Sequence, residues 1–275
     1  MQILYVTDLH GNVARYERLI EVAQTLGPDV VINGGDMLPK DGDLHEQGAF
    51  ITRYLVEHFS YFEQTGIPYL CCLGNDDLAS WDELFGATCC LFDGVYDVAQ
   101  QKVSLGGLDF IGMNWVADYP FLLKDRCRMD TADFIFPPQH GRGVLSKSDG
   151  FLQLDDWPAY ARQLPTLEQE LARLPEPDSP EQAVYIIHMP PATLGLDVCG
   201  GGEKVGSKAV YNFLTSRQPR LSFHGHIHES PEISGVWRAT IGRTLCIQPG
   251  QLQGLTYVLV DTVSKEAERR TDPLA

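Results

Sequence analysis

Apolar runs and amphipathic stretches alternate along the first third of the chain. Residues 3–6 form an unbroken apolar run, which predicts a buried strand. Asn12 then stands as a helix N-cap, and Tyr16, Leu19, Ile20, Ala23 and Leu26 follow at helical spacing. Gly27-Pro28 stops that helix, and 30–32 begins a second strand. A strand–helix–strand order implies parallel strands joined by a crossover. The pattern recurs. Phe50, Tyr54, Leu55, His58, Phe59 and Phe62 share one helical face, Gly66 closes the helix, and 68–73 predicts a third strand.

Further along, the elements shorten. Residues 95–99 and 102–113 predict strands, with Gly106-Gly107 as a hairpin turn. Segment 114–182 has little periodicity, and Pro137-Pro138, Gly141 and Gly143 mark loops within it. Residues 157–174 have a helical pattern that Pro165 must interrupt. Residues 176–180 form a polar connector. Order returns with a strand at Ala183–Ile187, a helix at 207–214 and a strand at Leu221–Phe223. Three further strands, 236–240, Thr244–Ile247 and 256–260, precede a charged tail of about eleven residues that predicts fraying. The expected class is α/β, in one domain spanning 1–275, with 114–182 as a less regular, cap-like insert.

Composition changes this picture little. A hydrophobic fraction of 44% in 275 residues suits a chain that buries a sizeable core. The formal charge of −16 argues against nucleic acid, which is usually met by a basic patch. The only basic candidate, Lys124 to Arg128, is short and contains Asp125. No stretch is apolar for long enough to span a bilayer, and the first residues lack the basic start and apolar run of a secretory signal. A cytoplasmic protein is therefore expected. The seven cysteines include the adjacent pairs Cys71-Cys72 and Cys89-Cys90, which match no zinc or redox spacing. Cys71 and Cys72 should point to opposite faces of a strand, as small buried hydrophobes.

The chemistry lies in four motifs at or just past strand ends, where open α/β sheets bind ligands. Asp8-Leu9-His10 follows the first strand; on an extended segment its alternate residues reach one point. Gly34-Gly35-Asp36 follows the second, with a carboxylate free to bridge two cations. Gly74-Asn75-Asp76-Asp77 follows the third, and Asn75 can ligate through its neutral carbonyl oxygen. His188 follows the strand at Ala183–Ile187, and His224-Gly225-His226-Ile227-His228 follows the strand at Leu221–Phe223. Any one motif reads more readily as a turn or cap. Together, with three histidines in five residues, they call for a common explanation: a dinuclear metal site with mixed oxygen and nitrogen ligands.

In this order the motifs resemble those of the calcineurin-like metallophosphoesterases: D-x-H, G-D, G-N-H-D/E, H and G-H-x-H. Here they read Asp8-x-His10, Gly35-Asp36, Gly74-Asn75-Asp76-Asp77, His188 and Gly225-His226-x-His228. The likeness is greatest to the small prokaryotic-type branch related to the Icc and YfcE phosphodiesterases. It implies a four-layer αββα sandwich with two mixed β-sheets. It also implies two divalent ions, Mn, Fe or Zn. Asp8, His10, Asp36 and His228 would hold one, and Asp36, Asn75, His188 and His226 the other, with Asp36 bridging. Two such ions can clamp an in-line displacement at phosphorus, with a metal-bridging hydroxide as nucleophile. The expected substrate is a small phosphate ester, diesters favoured over monoesters.

The departure is Asp76, where the family often has a histidine that protonates the leaving group. A free carboxyl group is mostly ionised at pH 7 and cations hold it so, so Asp76 should be a poor general acid. Asp77 takes the family's acidic position, as an orienter of the site. Asn12 and His224 are candidate substrate contacts, each with a structural alternative. The Gly200-Gly201-Gly202 run reads as a flexible loop. The alternative function is a non-catalytic metal-binding scaffold for protein partners; a nuclease would need a basic groove. Oligomeric state is not encoded in these patterns.

Overall fold

The computed structural model describes residues 1–274. The chain order is β1 (Gln2–Val6), α1 (Val13–Leu26), β2 (Val30–Asn33), α2 (Gln47–Phe50) running through a π-turn into α3 (Val56–Thr65), then β3 (Tyr69–Cys71), α4 (Asp82–Cys89) and β4 (Val95–Asp97). Next come β5 (Lys102–Leu105), β6 (Leu108–Met113), β7 (Val116–Ala117), β8 (Cys127–Arg128), β9 (Val144–Lys147), β10 (Gly150–Gln153), α5 (Trp157–Ala161) and α6 (Leu167–Leu171). The chain continues through β11 (Ala183–Ile187), α7 (Lys208–Arg217), β12 (Leu221–Phe223), α8 (Ser230–Ser234), β13 (Arg238–Ile241), β14 (Thr244–Ile247), β15 (Leu255–Asp261) and β16 (Ala267–Asp272).

Two six-stranded sheets result. The first runs β16-β15-β1-β2-β3-β4 and the second β13-β14-β12-β11-β6-β5. In each, four parallel strands are flanked by antiparallel ones, so both sheets are mixed. Strand alternation sorts the apolar residues into layers. Ile3 and Tyr5 of β1 meet Val184 and Ile186 of β11 between the sheets. Leu4 and Val6 face the layer of α1 and α3, with Tyr16, Leu19 and Phe59. Tyr185 and Ile187 face the opposite layer, with Val210 and Leu214 of α7. Helix, sheet, sheet, helix is the expected four-layer sandwich. Cys71 and Cys72 fall in different layers, as alternation requires.

Some elements depart from the sequence pattern. The charged tail is not frayed: β16 pairs antiparallel with β15 from Leu255↔Asp272 to Val260↔Ala267. Its alternating exposure is that of an edge strand, whose solvent face is charged. The 157–174 stretch divides into α5 and α6 around Pro165, and Thr166 with Gln169 restarts it as a capping box. Two short helices, α4 and α8, and the β9–β10 hairpin have no clear periodic signature.

Segment 114–182 is bound into the molecule at several points. Val116, Cys127, Trp157 and Leu167 join the core beside α7. The basic run within it is buried. Lys124 Nζ donates to Asp118 Oδ1 at 2.8 Å, and Trp157 Nε1 donates to the same oxygen at 2.9 Å. Arg126 Nε donates to the Gly74 carbonyl at 2.7 Å, and the guanidinium pairs with Asp82. These cations hold loops together and are not offered to a polyanion.

Candidate metal centre

The parallel cores of both sheets end at one rim. The loop after β1 is stitched to the loop after β2: Asp8 N donates to the Gly35 carbonyl and His10 N to that of Asp36, each at 2.9 Å. On the second sheet Gly225 N donates to the His188 carbonyl at 2.9 Å. His226 N crosses between sheets to Asp8 Oδ1 at 3.1 Å. Glycine permits this closeness: a Cβ at Gly74 would overlap the Asp36 carboxylate, and one at Gly225 the Thr7 hydroxyl.

Asp8 and His10 do converge, but not on an extended segment. Their φ angles are 58° and 49°, in the left-handed region, as are those of Asp36 (52°) and His226 (69°). That region is costly for residues other than glycine and persists where surroundings over-determine it. The expectation of simple strand alternation is corrected here; cross-loop hydrogen bonds aim these side chains.

The side chains meet with ligating atoms facing inward. Asp8, His10, Asp36 and His228 each offer an atom to a cluster within 4.8 Å. His10 Nε2 lies 2.9 Å from His228 Nε2, and His228 Nε2 lies 3.3 Å from Asp8 Oδ1. Beside them, His188 Nε2 is 3.4 Å from Asp36 Oδ2 and 3.0 Å from Asn75 Oδ1. Asn75 Oδ1 is also 2.5 Å from His226 Nδ1. His188 Nδ1 lies 2.8 Å from the Gly34 carbonyl, an acceptor only, which fixes the tautomer and turns the Nε2 lone pair inward.

The site fits cations on its own evidence. Asp8 Oδ2, Asp36 Oδ2 and His10 Nδ1 are buried without a hydrogen-bond partner. Buried polar atoms are rarely left so without cause, and the set of carboxylate, amide and imidazole donors suits Mn, Fe or Zn. Electrostatics agree. Burial would raise Asp36, but its histidine neighbours His188 and His10 hold it well below the usual carboxylate range. Burial alone would lower His188, but Asp36 and Asp8 push it up to about 9. At His10 and His226 burial prevails and pushes the pKa down to about 4 and about 3, which keeps these two imidazoles neutral.

The remaining candidates lie around this core. Asp76 Oδ1 accepts from Asn75 Nδ2 at 2.9 Å, and Asp76 N donates to Asp36 Oδ1 at 2.8 Å. Burial first, then the Asp36 charge, push the Asp76 carboxyl up to about 7; cations act in the opposite sense. Asp77 accepts from the backbone N–H groups of Met37, Leu38 and Gly74 at 2.9, 2.8 and 2.7 Å, joining two motif loops. His224 Nδ1 lies within hydrogen-bond distance of the Ile187 and Met189 carbonyls. Asn12 caps α1 through Arg15 N. Neither His224 nor Asn12 lines the cavity that opens on the cluster. Gly200 N is tied to Glu229 Oε1 at 2.9 Å, so the glycine run is anchored at its start.

Two contributions escape the sequence patterns. Arg126 supports the Asn75 loop from beneath, and residues of 117–137 wall the cavity. Arg126 lies in the one basic run; its burial has no local signature.

The sequence pattern of the family described as calcineurin-like phosphoesterase matches residues 1–230. No curated protein matches the chain. Among solved structures, the chain is similar to TT1561 of Thermus thermophilus, at 17% identity and a TM-score of 0.61, covering 98% of each chain. An archaeal phosphodiesterase aligns at 13% identity and a TM-score of 0.49, covering 98% of this chain and 99% of that one. YfcE, a phosphoesterase from E. coli, aligns at 11% identity and a TM-score of 0.37, covering 98% and 99%. At such identities, the likeness to TT1561 bears on the fold alone.

Proposed function

The chain belongs to the calcineurin-like phosphoesterase family, and from that premise we propose that it is a two-metal phosphoesterase acting on small phosphate esters, diesters above monoesters. The observation that carries the reading is the gathering of seven side chains from the loops of both sheets: Asp8, His10, Asp36 and His228 in one cluster, with Asn75, His188 and His226 joined to it beside Asp36. Asp8, His10, Asp36 and His228 are assigned to one cation, and Asp36, Asn75, His188 and His226 to the other. When bound, the pair supplies Lewis acidity and activates water for attack on phosphorus.

The chain's own residues do the positioning. Asp36 stands between the two sets, its carboxylate held by Asp76 N. His188 is fixed by the Gly34 carbonyl. Asp77 ties the backbone at Met37 and Leu38 to that at Gly74, so the Asp36 and Asn75 loops keep their spacing. Diesters are placed first because the motifs resemble those of the small prokaryotic-type phosphodiesterase branch; the clustered carboxylates pair with histidines among the described residues, and Lys40 lines the same cavity beside Asp36 and Asp76.

The test is hydrolysis of bis(p-nitrophenyl) phosphate with Mn²⁺. Activity should be abolished by EDTA and restored by the metal. Asp36→Asn should lower kcat/KM by about a hundredfold or more, since even residues behind metal ligands cost ~10–100-fold. Absence of hydrolysis of any phosphate ester at full metal occupancy would instead favour the non-catalytic scaffold.

A further inference from the structure

The cavity on the metal centre is far larger than a phosphoryl group. It measures about 1030 Å³, at the top of the range of small-molecule sites, ~300–1,000 Å³. Asp36, Asn75, Asp76, His226 and His228 line one part. The rest lies beneath segment 117–137 and against 203–208, and it is largely apolar: Phe121, Phe134, Ile135, Pro137, Met189 and Val205 line it. Met189 is a closed floor at 2% exposure, whereas Phe121 and Ile135 are 63% and 88% exposed. Large apolar side chains left to water around a concave site mark a surface that a ligand covers.

Charge on these walls does not suit a second phosphate. Asp118 is held by Lys124 and by Gln139 Nε2 at 2.9 Å. Asp130 is occupied at the start of α7, accepting from the Ser207 hydroxyl and from Lys208 N. Lys40, Lys204 and Lys208 share the lining with Asp133, Glu203 and Glu229, so no net positive field remains. The wall is also built in advance. Lys124 and Trp157 clasp Asp118 from inside, and Tyr119 Oη donates to the Leu123 carbonyl at 2.8 Å. A preformed wall lowers the ordering cost of binding.

We propose that this cavity takes the organic group of the substrate, and that the substrate is a phosphate ester with a single phosphoryl group and a large apolar moiety, alkyl or aryl. The inference rests on the phosphoesterase reading above and narrows it. Insert 114–182 is then the specificity element: it leaves phosphorus to the motif loops and receives the carbon skeleton.

The experiment is a series of p-nitrophenyl phosphodiesters whose second group is methyl, butyl, octyl or phenyl, hydrolysed by the full chain with Mn²⁺. Burial of apolar atoms favours the longer groups, so kcat/KM should rise about tenfold or more from methyl to octyl. Ile135→Asp, at an exposed position, and Phe134→Ala should flatten that gradient. A flat or falling series with an active enzyme overturns the inference and leaves the phosphoesterase reading intact. If no member is hydrolysed at full metal occupancy, that reading fails. Calorimetric titration with octylphosphonate and methylphosphonate then decides the inference separately: tighter octylphosphonate binding, weakened by Ile135→Asp, supports it, and equal binding overturns it.

Discussion

At Asp8, His10, Asp36 and His226 the backbone is held left-handed, and these four are half of the eight non-glycine residues with positive φ among those described. The identities and order of these residues are plain in the sequence. Their conformation is not, because it is set by hydrogen bonds between loops distant in the chain, such as Asp8 N to Gly35. Asp76 shows the same limit. Residue type and position pose the question of a proton donor; only the geometry shows its carboxylate accepting from the Asn75 amide, turning Asn75 Oδ1 toward two imidazoles. Asp76→Ala should therefore raise the Mn²⁺ concentration for half-maximal activity by ~10–100-fold. At saturating Mn²⁺, the dependence of kcat on leaving-group pKa should match that of the wild type. A variant that lost ~10²-fold or more on poor leaving groups alone would have lost a general acid.

Among the elements, those with full apolar periodicity were legible: β1, α1, β2, α3, β11 and α7 lie where runs and helical faces place them. β16 was not, because an edge strand has only one face to bury and its alternation, Glu268, Arg269, Arg270, looks like a charged tail. Helix α3 carries a further feature that its pattern hides. His58 lies on its apolar face at 2% exposure, among Tyr16, Phe62 and Tyr69 at 4.9–5.2 Å, with neither ring nitrogen partnered. Burial pushes its pKa down to about 3. Between that value and ~6.5 the unfolded chain binds a proton that the folded chain does not, so stability falls as pH falls through this window. Chemical denaturation at pH 7 and pH 5.5 should show the wild type losing about 1 kcal/mol more than His58→Phe. Equal losses would mean that His58 is protonated in place.

For the whole molecule, the centre is a property of both sheets at once. Asp8, His10, Asp36 and Asn75 come from the first, and His188, His226 and His228 from the second. Bound cations would therefore clamp the sandwich. Mn²⁺ at ~100 times its Kd should add about 2.7 kcal/mol per site, raising Tm by roughly 5–10 °C. EDTA should reverse the rise and Asp36→Asn should abolish it, as scanning calorimetry can show. The four-layer architecture was legible because the motif order carried a resemblance; the cavity was not, because much of its wall comes from an irregular insert fixed by the buried Lys124–Asp118 pair. The placement of β15 beside β1 has a consequence for how the protein is made. The first strand translated has its partner on one side within about thirty residues, at β2, but on the other side only when residues 255–261 are made. On the ribosome, most of the chain is extended with β1 as an open edge, the kind of edge that pairs with other chains. Synthesis halted before β15 leaves a nascent product in need of a chaperone, although all seven proposed ligands have already been translated.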